Sequence, residues 1–255
     1  MNKRKLLIAA ALLSALALLG IGLTSALLTD VEVQENVITI GRVSVSLDEG
    51  AFVQDSVVVP GSIVTKAPKL INDGNKDEFV FVRVTVPKDA VTLLYEQSDA
   101  EHLKGTARAD QATQELFRFL CEDESGSIDA VPAASPLSFD EDFHFHNGSS
   151  EPEQAGWLLL ARDSSGEAEN VYTFGYNRKL APSAETRTLF DKVQLKSFID
   201  GETLGEKTIG VSAYAIQAEN LNPTGSLDFS KAYYSVEDLQ AILAIVEQKI
   251  AGSTA

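Results

Sequence analysis

The stretch Glu78–Val86, EFVFVRVTV, limits the fold more than any other part of the chain. Phe79, Phe81, Arg83 and Thr85 alternate with Val80, Val82, Val84 and Val86. Successive strand side chains point to opposite faces, so a period of two puts every valine on one face. β-Branched side chains suit a pleated, half-buried surface and are disfavoured in a helix. A face made wholly of valine needs a second layer to cover it. Pro87 has no N–H to give to a ladder and is expected to stop the strand.

Other segments repeat the pattern. In RVSVSL, Val43, Val45 and Leu47 share one face and Arg42, Ser44 and Ser46 the other. VEVQENVITI, ahead of it, alternates less strictly. Pro60-Gly61 marks a turn, and Ile63–Ile71 reads as a strand, with Pro68 pointing to an edge or irregular position. Asn72-Asp73-Gly74-Asn75 is a turn expected to join antiparallel strands, because Asp-Gly takes positive φ at low cost. GWLLLARD, NVYTFGYNRKL, ETRTLFDKVQLKSF and KTIGVSAYAIQAEN add strands between Gly156 and Asn220. Turn-linked strands without alternating helices predict a mainly β fold, an antiparallel β-sandwich. Its halves are expected at residues 27–87 and 156–221.

Residues 88–155 differ. From Lys88 to Gly156 there are 15 Asp and Glu against 4 Lys and Arg, a net charge of −11. This segment is expected to be an acidic, partly helical insertion, with a helix from about Asp110 to Leu120 that aligns Leu116, Phe117 and Leu120. Residues 222–255 read as a linker and a C-terminal amphipathic helix. Ser235-Val236-Glu237-Asp238 resembles a capping box with Asp in place of Glu. Val236, Leu239, Ile242, Leu243, Val246 and Ile250 follow at helical spacing and are expected to pack on the sandwich.

The N-terminus carries Lys3-Arg4-Lys5, an apolar run from Leu6 to about Leu23, and Thr24-Ser25-Ala26. A basic start, an apolar stretch and small residues describe a secretory signal peptide, residues 1–26, cut between Ala26 and Leu27. The competing reading is an uncleaved membrane anchor, since about 18 apolar residues approach the length of a bilayer span. Membrane association is expected only through this segment. Cleavage removes three positive charges and takes the formal charge from −16 to −19. Nucleic acid is not an expected partner, because basic residues supply that affinity. The single cysteine, Cys121, excludes an internal disulfide and reads as a small buried hydrophobe.

Motifs for chemistry are sparse. There is no H-E-x-x-H, G-x-S-x-G or G-x-x-x-x-G-K-[ST]. His144 and His146 form an H-x-H pair near Asp140 and Asp142, and on a strand both rings would share a face, as a zinc or copper site needs. The alternative is a surface strand with Phe143 and Phe145 facing in. Glu122-Asp123-Glu124 and Asp140-Glu141-Asp142 could attract Ca²⁺ but lack the EF-hand pattern. Trp157, Tyr172, Tyr176 and Tyr214 could form a carbohydrate platform or, more simply, core packing. No cofactor and no catalytic residue is assigned.

The basic start, apolar run, Ala26, LLTD and ITIGRVSVSLDE together resemble the TasA/camelysin family of Gram-positive exported proteins. So do VVPGSIVTKAPKLINDGNKDEFVFVRVTVP, YTFGYNRKLAPSAETRTLFDKVQL and IGVSAYAIQAEN, in that order. The resemblance covers residues 1–87 and about 156–221. It implies a jelly-roll-like sandwich, a SipW-type signal peptidase as processing partner, and secretion to the extracellular matrix or cell surface. It also implies self-association into biofilm fibres by donation of the N-terminal strand that cleavage frees. Camelysin-type relatives are classed as metallopeptidases; the helical zinc motif is missing here, so no enzyme activity is carried over. The alternative expectation is an extracellular binding module that uses the acidic segment, and a third is a metal-dependent peptidase at His144 and His146.

Overall fold

The computed structural model describes residues 37–40, 44–49, 59–98, 100–108, 112–123, 125–127, 143–199, 207–219, 221 and 227–253. The expected signal segment, Ala26 and Leu27 lie outside them. Chain contacts separate Met1–Glu35 from one unit that spans Asn36–Ala255. No helix of the described residues is long and apolar enough to cross a membrane.

The valine strand is the spine. It is β5, Glu78–Leu93, and it is 16 residues long. Its first half is paired on one side with β11 (Glu169–Tyr176) and on the other with β14 (Gly210–Gln217), both antiparallel. β10 (Trp157–Asp163) extends the sheet beyond β11, and β1 (Val37–Ile40) extends it beyond β14. The β1 pairing is parallel. Pro87 does not end the strand, contrary to expectation. It marks the change of partner: past it, β5 pairs with β6 (Ala112–Glu115) and β13 (Phe198–Ile199). The missing N–H falls where the ladders change over, so it costs little there.

A second sheet holds β3 (Ile63–Thr65), β12 (Lys192–Leu195) and β7 (Phe117–Leu120), in that order. Two further antiparallel pairs, β2 (Val45–Asp48) with β4 (Lys69–Asn72) and β8 (Ser149–Ser150) with β9 (Glu153–Gln154), complete the strands described. The fold is mainly β, with antiparallel sheets curled into a half-barrel. Val80, Val82, Val84 and Val86 all fall in the main core, with Phe117, Phe119 and Val193 of the second sheet. The valine face is covered as its pattern requires.

The opposite face of β5 has its own cover. Phe79 and Phe81 meet α1, Val236–Ser253, through Leu239, Ile242, Leu243 and Val246. The cap is reciprocal. Ser235 Oγ accepts the Asp238 N–H at 3.3 Å, and the Ser235 N–H donates to Asp238 Oδ2 at 3.1 Å. β10 is bulged at Leu160, between Leu159 and Ala161. Gln240 donates to the Leu160 carbonyl at 2.7 Å. Gly175 lies beneath the helix: a Cβ there would come within 2.9 Å of Leu160 and 3.1 Å of Leu239.

Three further expectations are corrected. The helix expected over Asp110–Leu120 is β6 and β7. The apolar spacing fitted a helix, but Phe117–Leu120 is buried on both faces, and Arg118 is buried with it. Arg118 is tolerated because Nη1 donates to Glu96 Oε2 at 3.2 Å and to Gln194 Oε1 at 3.1 Å. Ile63–Ile71 is not one strand: Lys66–Pro68 divides it into β3 and β4, which join different sheets. The turn at Asn72–Asn75 does not close a hairpin, since β4 pairs with β2. It hands the chain from one sheet to the other.

Candidate functional site

Cys121, His146 and Asp191 come from distant parts of the sequence and meet at the end of the β7–β12 ladder. Lys192 is paired with Leu120, so the next position sets Asp191 beside Cys121. The Asp191 N–H donates to the Leu120 carbonyl at 2.9 Å. His146 lies on the extended segment after Phe143. Its N–H donates to Leu189 O, and its carbonyl accepts the Trp157 N–H, each at 2.9 Å. All three residues are half-buried, and their candidate ligand atoms lie within 4.8 Å of one another.

The hydrogen bonds fix the protons. Arg187 Nη2 lies 3.2 Å from His146 Nδ1, and Asp191 Oδ2 lies 2.7 Å from His146 Nε2. A guanidinium can only donate, so Nδ1 is the acceptor and Nε2–H points at the carboxylate. His146 is the neutral Nε2–H tautomer in this arrangement. Asp191 Oδ2 also accepts the Glu122 N–H at 2.7 Å, and Oδ1 accepts the Thr188 hydroxyl at 2.8 Å. Burial raises the Asp191 pKa, but these bonds and His146 outweigh it and hold the carboxyl below its ordinary value.

The three side chains line an open pocket of about 630 Å³, together with Glu122, Asp123, Arg187 and Thr188. Glu122 forms an ion pair with Lys192. Asp123 Oδ1 accepts from Ser125 N at 2.8 Å and Ser127 N at 2.9 Å and closes the local turn. The Ser125 hydroxyl, first among the causes, holds its carboxyl below the usual range.

The H-x-H expectation is divided. His146 enters the cluster and His144 does not line the pocket. Residues 144–146 are not a strand. Asp140 and Asp142 lie outside the described residues. Phe143 is buried, and Phe145 packs against the core. The third histidine, His102, stacks on Tyr95 at 4.1 Å. Trp157, Tyr172 and Tyr176 are buried, which removes them from any carbohydrate platform. Cys121 is half-buried at the pocket, where a fully buried residue was expected. Asp191 carried no local signal, since its partner His146 is 45 positions away.

No protein-family model, curated protein or solved structure matches the chain.

Proposed function

We propose that the chain is an exported structural protein of the cell surface or extracellular matrix, a jelly-roll-like sandwich that assembles by exchanging its N-terminal strand. The observation that carries this reading is the position of β1. It is the first described strand after the expected cleavage site, and it lies at the edge of the main sheet. Among the described residues it pairs with β14 over Val37–Ile40, in parallel. Parallel pairing is slightly weaker per residue than antiparallel pairing. β14 itself is anchored on its other side by eight register pairs to β5, so its edge persists when β1 leaves. A second copy's β1 can make the same ladder there, as in β-augmentation. Head-to-tail exchange is a heterologous contact that need not close, and it yields filaments. The uncleaved signal segment would hold the strand at the membrane until a SipW-type peptidase frees it.

The test is negative-stain microscopy of concentrated Leu27–Ala255. Filaments are expected, and their loss when residues 27–40 are deleted. Monodisperse particles at every concentration would contradict the proposal. A second reading, an extracellular binding module, draws on the acidic rim at Glu122 and Asp123. Glu122→Gln with Asp123→Asn would abolish binding in that case and leave assembly intact in the first, and it spares the core strands β6 and β7 of the same segment.

A further inference from the structure

We infer that Cys121, His146 and Asp191 form a three-ligand site for a zinc-class divalent ion, with its fourth position open to the pocket. The site is independent of strand exchange. A thiolate, an imidazole and a carboxylate make a donor set that zinc favours and that magnesium and calcium do not. The three atoms already lie within 4.8 Å of one another. A tetrahedron with bonds of about 2.0–2.3 Å has edges of roughly 3.3–3.7 Å. Reaching that size parts His146 Nε2 and Asp191 Oδ2 from 2.7 Å and closes no pair by more than about 1.5 Å, within reach of half-buried side chains.

The backbone of all three ligands is held by the core. Cys121 extends β7, Asp191 leads into β12, and His146 is bonded to Leu189 and Trp157. The Thr188 and Glu122 bonds orient the Asp191 carboxylate as supporting hydrogen bonds do around metal sites. The chain's formal charge of −16 favours cation approach.

Arg187 is the gate. With its guanidinium on His146 Nδ1, the Nε2 lone pair is absent and the site is closed. Arg187 is exposed, so its side chain can swing into solvent. The imidazole proton then moves from Nε2 to Nδ1 through water, and Nε2 is free to bind. The Cys121 thiol gives its proton to solvent as the metal–sulfur bond forms. The imidazole stays neutral, so one proton is released per ion bound.

The test uses Leu27–Ala255, stripped with chelator and titrated with Co²⁺ and then Zn²⁺. The expected result is a 1:1 thiolate-to-cobalt charge-transfer band, displaced by Zn²⁺. Calorimetry in buffers of different ionisation enthalpy should show about one proton released per ion. Cys121→Ser should abolish the band and weaken Zn²⁺ binding at least about tenfold. Arg187→Ala should tighten binding, because it removes both the competing donor and a positive charge. Absence of the band in the unaltered chain, or equal Zn²⁺ affinity in Cys121→Ser, overturns the site. Unchanged or weaker binding in Arg187→Ala overturns the gate. Both substituted positions face the pocket, so the test does not depend on a core change that could unfold the chain.

Discussion

Glu78 opens β5 with its side chain fully buried, and Oε1 accepts the Ser44 N–H at 3.3 Å. Gly74 makes room for it, since a Cβ there would fall on the Glu78 carboxylate. Burial first, and the Asp73 charge in support, raise the Glu78 pKa from 4.5 to about 7, against the pull of the Ser44 bond. The folded state therefore holds this proton more tightly than the unfolded chain. Ionised Glu78 costs nothing below about pH 4.5, and the cost grows as pH rises through about 7. At full ionisation it is on the order of 3 kcal/mol. Glu78→Gln keeps the acceptor and should raise Tm at pH 8 while leaving it nearly unchanged at pH 4.5, as a pair of thermal melts would show. Asn177 is the other residue on which much local order rests. Its Oδ1 accepts the Gly156 N–H at 3.0 Å, and its Nδ2 donates to Gln154 O at 2.8 Å and Ser149 O at 3.1 Å. Asn177→Ala strands these groups and should cost about 3 kcal/mol in chemical denaturation.

α1 is held at the scale of an element by one stripe and one cap. Ile242 is fully buried against the Phe79 face, so Ile242→Ala should cost about 2–5 kcal/mol. Ser235→Ala removes one half of the reciprocal cap and should cost about 1 kcal/mol. Urea titration of both variants checks the order of the two effects. This helix was legible in the sequence because period and cap agreed. The first half of β5 was legible for the same reason, as strict alternation has only one structural reading, but its continuation past Pro87 was not. β7 was not: Leu116, Phe117 and Leu120 fit a helical face, and only the distant partners Glu96 and Gln194 make a buried Arg118 acceptable. The pocket was legible in one residue of three. His146 stood out as half of an H-x-H pair, but Cys121 and Asp191 reach it only through the pairing of β7 with β12. That pairing leaves no local pattern in the chain.

For the whole molecule, β1 matters most. A four-residue strand completes the edge of a sheet whose other strands are buried or anchored. Exchange between copies would preserve the same ladder, so concentration would decide which chain supplies the strand. The acid-rich surface sets a limit on this, since like-charged copies repel, and added salt should lower the concentration at which assembly begins. Turbidity or sedimentation across a salt series measures that shift. The most direct test uses register. Thr39 is the partner of Ala215 across the β1–β14 pairing. Two chains are prepared with Cys121→Ser, one also carrying Thr39→Cys and the other Ala215→Cys. Neither can form the cross-strand disulfide within itself. Mixed, concentrated and oxidised, they should give a covalent heterodimer that carries one copy of each chain. If the mixture gives no more heterodimer than two chains with unpaired surface cysteines, β1 stays on its own β14, and assembly by strand exchange is contradicted.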